Sequence, residues 1–371
     1  MKIATYNVEN LFDRAKALNT DSAIARNAIK QEAELNLLIQ QEVYDDDTKE
    51  RMLSLLKSLR ILKTDEGPFV FLRKIRGSFL KRPRTGDVTV AADGRADWVG
   101  WIELKTEAVN SVASQNTGRV IRDVDADIIA VIEAEHRIAL KQFSEAVLAE
   151  VEGKPYANIM LIDGNDDRGI DVALMTKTGY NIGMMQSHIN DFNDAGTAIF
   201  SRDCPEYCVT TPQGETIWFL PNHFKSKFGG NDPVSQNKRL QQARRTAEIY
   251  KRLIAEGNEN VVVLGDLNDT PDSDALKPLL QQTNLKDVTT HRKFSPGEFP
   301  GIGTFGLGNS DNKIDYLLLS PALFSRVQEA GIFRKGAWPG SRPKRWTVYD
   351  ELQKEVHAAS DHHLLWVQID G

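Results

Sequence analysis

The sequence predicts a mixed α/β protein, and three observations carry that expectation. Short apolar runs rich in β-branched residues, such as Val261-Val262-Val263-Leu264 and Ile128-Ile129-Ala130-Val131-Ile132, read as strands buried on both faces. Between such runs lie stretches with apolar residues at helical spacing, as in Met52, Leu53, Leu55, Leu56 and Leu59. The apolar runs end or begin at a carboxylate, an amide or a histidine. A chain of 371 residues, 41% hydrophobic, is long enough for a sizeable core in one large domain or two smaller ones.

Composition excludes several classes. The formal charge of -6 gives no bulk signature of nucleic-acid binding, so the distribution of charge matters more than its sum. Cys204 and Cys208 are too few for a disulfide framework or a structural zinc site, and they read as packing residues or a loop pair. The opening MKIATYNVENLF has too short an apolar run for a signal peptide, and no stretch is long enough to span a bilayer. A cytoplasmic protein without membrane association or an obligate protein partner is expected.

Taken in order, Lys2 to Tyr6 reads as a first strand, followed at once by Asn7, Glu9 and Asn10. From about Asp21 to Lys63 the spacing predicts amphipathic helices, broken near Asp45-Asp46-Asp47, with Asp47 or Thr48 as N-cap. Phe71 to Arg84 is a basic run interleaved with aromatic and apolar residues, either a grip for a polyanion or a solvated edge. Residues Asp87 to Leu104 predict a hairpin turning at Ala92-Asp93-Gly94, with Trp98 and Trp101 on it. Helix pattern returns from about Thr106 to Val124. The Ile128 strand then ends in Glu133, with Glu135 and His136 as ordinary loop polarity. A helix from about Ala139 to Glu150 leads to a strand from Arg168 to Met175 with Asp171 near its start.

The second half carries the denser chemistry. After the strand Trp218-Phe219-Leu220 come Asn222, His223, Lys225, Ser226 and Lys227; a histidine beside two lysines and a hydroxyl suits a phosphate. A basic helix with Lys238, Arg239, Arg244 and Arg245 follows. The Val261 strand runs into Gly265, Asp266 and Asn268, an anion and a neutral amide two residues apart. The carboxylate suits a hard cation, and the amide can bond a phosphoryl oxygen or a water without adding negative charge. Asp315 begins another apolar strand. Phe333 to Trp346 is a second basic and aromatic run with Arg334, Lys335, Arg342, Lys344, Arg345 and Trp338, and Asp361-His362-His363 enters the last strand.

TYNVEN, Glu133 in DIIAVIEAE, His223 in PNHFKSK, Asp266 and Asn268 in GDLND, Asp315 in KIDYLLLS and the terminal SDHH, in this order, resemble the endonuclease/exonuclease/phosphatase superfamily. NVENLF and HFKSK look closest to its bacterial nuclease branch. The resemblance covers nearly the whole chain and implies a single domain, residues 1–371, with a helical and hairpin insertion at about 13–105. It implies a four-layer α/β sandwich, two packed mixed β-sheets flanked by helices, in the DNase I-like manner. It further implies Glu133 as principal ligand of Mg2+, or of Mn2+ in its place, with Asn7, Glu9 and Asp361 near it. Asp266 and Asn268 position water and phosphate, and His362 held by Asp315 moves a proton or stabilises the transition state. His223 stands opposite with Asp171 as its partner, and Lys225, Ser226, Lys227 and Arg168 meet the substrate. The expected activity is magnesium-dependent hydrolysis of phosphodiester bonds in nucleic acid, DNA ahead of RNA. The alternatives are a phosphatase or phospholipase acting on inositol phosphates or sphingolipids, and a non-catalytic binding protein.

Overall fold

The computed structural model describes residues 1–11, 23–105, 110–166, 169–227, 232–341 and 343–370. The chain divides into two compact units, Met1–Phe12 with Val109–Gly371, and Asp13–Ala108. In the larger unit, side-chain alternation along each strand builds two sheets over one shared core. Ile3, Ile128, Ala130, Ile132, Val262 and Leu264 face a common apolar layer, whereas Ala4, Tyr6, Ile129 and Val131 pack on the other side of the first sheet and Val261 and Val263 on the other side of the second. Removing each such side chain from water contributes roughly 1.5–3 kcal/mol.

The first sheet has seven strands in the order Phe294–Ser295, Val327–Phe333, Leu364–Ile369, Lys2–Leu11, Ile128–Ala134, Asp171–Thr176 and Asn158–Leu161. The second has six, in the order Lys286–Asp287, Asp315–Leu319, Val261–Asp266, Thr216–His223, Glu206–Thr210 and Asn181–Gln186. Helix Ser111–Val124 and a helical stretch from Arg137 to Glu150, with one π turn at Phe143–Val147, pack on the outer face of the first sheet. Helix Pro233–Ala255 covers the second; Asp232 caps it by accepting from the N–H groups of Val234 and Ser235, at 2.9 and 3.0 Å. The result is a four-layer α/β sandwich. Among the described residues, no helix is long and apolar enough to cross a membrane.

Strand direction assembles the polar groups. In each sheet the central pair is parallel, Lys2–Leu11 with Ile128–Ala134, and Thr216–His223 with Val261–Asp266. Their C-terminal ends therefore leave the sheets on one edge. The antiparallel neighbours Leu364–Ile369 and Asp315–Leu319 begin at that same edge.

The smaller unit has its own core, in which helices Ala23–Ile39 and Asp46–Ser58 pack through Leu35, Met52 and Leu56 against Val70, Phe79, Trp98 and Ile102. Asp45 caps the second helix, its carboxylate accepting the Thr48 N–H at 2.8 Å, so the cap lies two residues before Asp47. The hairpin expected to turn at Ala92-Asp93-Gly94 does not form. Thr89–Val90 pairs with Leu80–Lys81, while Trp98–Leu104 pairs with Val70–Gly77, and this pairing sets Trp98 and Ile102 with Val70 in the core under the helices.

Candidate active site

Two acids reach the edge of the sandwich through local breaks in the ladder, and an amide reaches it from just past a strand end. The pairing of Lys2–Leu11 with Ile128–Ala134 shifts register between Asn7 and Leu11, and that of Ile128–Ala134 with Asp171–Thr176 shifts between Ile132 and Ala134. Glu9 and Glu133 occupy these irregular positions with φ of 46° and 68°, the left-handed region that non-glycine residues avoid. Asn268, just past the Val261–Asp266 strand, has φ 53°. Holding three such residues costs roughly 1–3 kcal/mol each, and strain of this kind collects where side chains must be aimed. Gly265 serves close approach rather than a turn. It lies inside the strand opposite Asn222 with φ 126°, and a Cβ there would stand 2.0 Å from the Asn222 carbonyl oxygen.

The ends of both sheets meet around a cleft of about 430 Å3 lined by Asn7, Glu9, Glu133, His223, Asp266, Asn268, Asp361 and His362, with Ser226, Lys227 and Arg202 at its wall. Asn7 is the link between the sheets: its amide donates to Glu133 Oε1 at 3.4 Å and to Asp266 Oδ2 at 3.2 Å, while its Oδ1 accepts the Glu9 N–H at 3.1 Å. Glu9 Oε2 in turn accepts the Asp361 N–H at 2.9 Å. Burial and then the charge of Asp361 push the Glu9 carboxyl up to about 7. Burial also raises Asp361 above the ordinary carboxylate range, His362 opposing the rise and Glu133 adding to it.

Opposite these acids, His362 Nδ1 lies 2.8 Å from Asp315 Oδ2 and its Nε2 lies 3.9 Å from Asp266 Oδ2. Burial works against charge on this ring, but Asp315, Asp266 and Asp361 hold it protonated well above the usual histidine range. Its place is fixed by the edge of the Phe305 ring, 5.0 Å between centroids, and by Ser360, whose hydroxyl accepts the His362 N–H and donates to the Asn7 carbonyl. Thr304 Oγ1 accepts the Asp315 N–H at 2.9 Å. Asp266 is raised by burial and then by Asp315; its Oδ1 accepts the Asn268 N–H at 2.8 Å and its Oδ2 the Asn268 side-chain amide at 3.1 Å. His223 Nε2 stands 3.6 Å from Glu133 and 3.7 Å from Asp266.

Other residues expected here are placed differently. Asp171, expected as the partner of His223, is engaged elsewhere. Its carboxylate accepts the Gly164 N–H at 2.8 Å, and burial with Asp163, Asp166 and Asp203 around it pushes its pKa up to about 7. Its carboxylate lies where Gly164 meets the Arg202–Asp203 backbone, 2.5 Å from the place a Gly164 Cβ would take, and sequence spacing does not reveal that contact. Lys225 is exposed, its backbone N–H bonded to Gln242. Lys227 reaches the wall paired with Asp269, which also holds the buried Arg239 at 2.9 Å. Arg168 and Arg342 lie outside the described residues. Two arginines of the second basic run turn inward while Lys335 and Lys344 stay exposed: Arg334 is buried between Phe299 and Trp346 and donates to the carbonyls of Gly303 and Gly301, and Arg345 donates to Leu307 and Asn309. Those arginines brace the 299–309 loop.

Sequence alone gives no reason to place Arg202 at the cleft wall, where it is 2% exposed. Its Nε is 2.8 Å from Asp166 Oδ2, while its buried Nη2 has no hydrogen-bond partner among the described residues. A lone arginine in SRDCPE carries no periodicity or spacing that separates it from a surface residue.

Comparison with known proteins agrees with this architecture. A model of the Endonuclease/Exonuclease/phosphatase family matches residues 80–335, more than half of the chain. Among solved structures, a mannosyl-6-phosphatase from Bacteroides thetaiotaomicron VPI-5482 is similar at a TM-score of 0.52 and 16% identity, covering 70% of this chain and 91% of its own. An endonuclease/exonuclease/phosphatase family protein from Bacteroides thetaiotaomicron gives a TM-score of 0.50 at 17% identity, covering 69% and 85%. No curated protein matches the sequence. With the fold, the cleft and the family match in agreement, the chain belongs to the endonuclease/exonuclease/phosphatase family, hydrolases acting on phosphoester bonds.

Proposed function

We propose that the chain is a divalent-metal-dependent phosphodiesterase that hydrolyses nucleic acid. The observation that carries this reading is one cleft holding an acid group, Glu9, Glu133 and Asp361, opposite a protonated His362 clamped by Asp315.

The family's enzymes generally depend on a divalent metal, and the cleft offers carboxylate oxygens from Glu9, Glu133 and Asp361. Among the described residues the buried Oδ1 of Asp361 has no hydrogen-bond partner and lies 3.7 Å from His362 Nε2, and Glu9 is driven towards neutrality by burial and crowding with Asp361. Carboxylate oxygens without a thiolate suit a hard cation such as Mg2+ or Mn2+. Glu133, Glu9 and Asp361 would hold it, with Asn7 orienting Glu133. When bound, the cation supplies positive charge to the phosphoryl and leaving oxygens. Asp266, Asp315 and His362 also offer ligand atoms within 4.8 Å of one another, but the imidazolium already balances those two carboxylates.

The protein groups divide the remaining work. Asp266, its carboxyl raised by burial, takes the proton of the attacking water, and Asn268 holds the carboxylate at the angle this requires. His362 donates to a non-bridging phosphoryl oxygen and stabilises charge as it grows in the transition state. His223 faces the same space as a second donor, and Arg202 offers its unpartnered guanidinium nitrogen to the phosphate.

A second reading, hydrolysis of a small phosphomonoester, is favoured by the engagement of Lys227 and Arg239 with Asp269, which leaves fewer cations beside the cleft for neighbouring phosphates. The similarity of fold to a sugar phosphatase is compatible with it. Incubating the protein with plasmid, single-stranded DNA, RNA and small phosphoesters, each with Mg2+, Mn2+ or EDTA, separates the two. Cleavage of polymers supports the first; turnover of monoesters alone overturns it. Glu133→Gln keeps size and hydrogen bonding but removes charge, so cleavage is expected to be lost with the fold retained and metal affinity lowered in calorimetry. Full activity of this variant at low Mg2+ would remove Glu133 from the site.

A further inference from the structure

The smaller unit carries a basic segment whose chemistry the cleft does not use. Six of the twelve residues from Arg73 to Arg84 are lysine or arginine and none is acidic. The structure divides these six into two kinds. Arg82 is internal, donating to the carbonyls of Leu62, Ile61 and Thr64 and to Asp65, and Arg73 pairs with Glu103 while lying 4.4 Å over the Phe71 ring. Lys74, Arg76, Lys81 and Arg84 are exposed, and among the described residues none of these four has an ion-pair partner.

Two of them ride on a two-stranded antiparallel ribbon, Val70–Gly77 with Trp98–Leu104. One side of the ribbon is buried through Val70, Trp98 and Ile102. Gly100 is required on that side because a Cβ would run into the Trp98 ring at 1.6 Å. The other side carries Phe71, Arg73 and Trp101, with Arg73 directly opposite Trp101, whose ring is 43% exposed. The ladder shifts between Lys74 and Arg76, and the extra residue, Ile75, is 68% exposed. Exposed tryptophan and isoleucine cost solubility. Arg76, without an ion-pair partner among the described residues, pairs with Val99 on the Trp101 side, whereas Lys74 pairs with Gly100 on the other.

We propose that this ribbon is a binding surface for single-stranded nucleic acid, with Lys74, Arg76, Lys81 and Arg84 meeting phosphates and Trp101 stacking on a base. The four cations set a polyanion as partner, and the exposed ring on the Arg76 side of the ribbon selects one with flat apolar faces. The proposal rests on the nucleic-acid reading of the cleft for its purpose, but the binding itself is separate from cleavage.

The test uses the full chain in EDTA with a fluorescein-labelled 20-mer deoxyoligonucleotide, anisotropy followed across a salt series, and the oligonucleotide checked for integrity on a gel. Affinity is expected to fall with salt. Replacing Lys74, Arg76, Lys81 and Arg84 with serine is expected to weaken binding at least about tenfold and to flatten the plot of log affinity against log salt, by about 0.7 for each phosphate that a cation no longer neutralises. Trp101→Ala is expected to weaken binding on the order of tenfold while leaving that slope unchanged. Unchanged circular dichroism and turnover of a small chromogenic phosphodiester check that the variants are folded. The inference is overturned if the serine variant binds with wild-type affinity and slope, if Trp101→Ala has no effect, or if anionic phospholipid vesicles bind this face while the oligonucleotide does not. Oligonucleotide binding by a chain that hydrolyses only monoesters would instead overturn the proposed substrate and leave the ribbon standing.

Discussion

At the residue scale, the centre of the proposed chemistry is an imidazole with carboxylates on both sides. His362→Ala removes the donor to the phosphoryl oxygens while Glu9, Glu133 and Asn7 stay in place. Turnover is therefore expected to fall by about 10²- to 10⁴-fold or more with little change in substrate binding. Asp315→Asn keeps a partner at 2.8 Å but loses its charge, so the ring should titrate at lower pH and the rate loss should be smaller. Steady-state kinetics with a binding measurement on each variant checks both. Near-normal turnover in His362→Ala would move the donation to the phosphoryl oxygen to His223.

At the element scale, the Val261–Asp266 strand is the piece on which the site depends. Gly265 has Asn222 across a parallel pair with no room for a methyl group, so Gly265→Ala must push the strand from its neighbour. A destabilisation of about 3 kcal/mol is expected in urea unfolding, together with a rate loss, because Asp266 follows directly. Equal stability of variant and wild type would mean that the backbone relaxes without cost. The same scale explains Glu9 and Glu133. Each acid sits on a bulge that aims its side chain out of the ladder, so regular strands of the same composition would bury or misdirect both carboxylates.

At the scale of the whole molecule, pH enters through a carboxyl outside the cleft. Burial, with Asp163, Asp166 and Asp203 around it, raises Asp171 to about 7 in the folded chain, against an ordinary value of 3.8. The unfolded chain therefore releases this proton first as pH rises. The stability associated with a neutral Asp171 is fully present below about pH 4, is lost progressively as pH rises to about 7, and changes little above that. Each tenfold difference in proton affinity between the folded and unfolded chains corresponds to about 1.4 kcal/mol. Asp171→Asn keeps an acceptor for the Gly164 N–H and removes the titration. Its stability relative to wild type is expected to increase by on the order of a few kcal/mol from pH 4 to pH 8. Urea titrations of the two proteins at those pH values provide the measurement, and a difference independent of pH would show that Asp171 is charged in the folded state.

The buried strands were legible in the sequence by themselves, because Val261 to Leu264 and Ile128 to Ile132 are apolar at every position and only a strand covered on both faces tolerates that. Polar residues at the ends of those runs were legible for the same reason, and their order along the chain carried the family resemblance. Tertiary structure alone decided which cations are available. Arg334 and Arg345 look in sequence like the basic residues at 74 and 76, but they brace a loop through carbonyls contributed by residues about thirty to forty positions away. It also decided that His223 faces Glu133 and Asp266, and that Arg202 belongs to the cleft wall. Local sequence specifies which groups a strand end carries. Which groups confront one another depends on sheet order and register, set by packing between residues far apart in the chain.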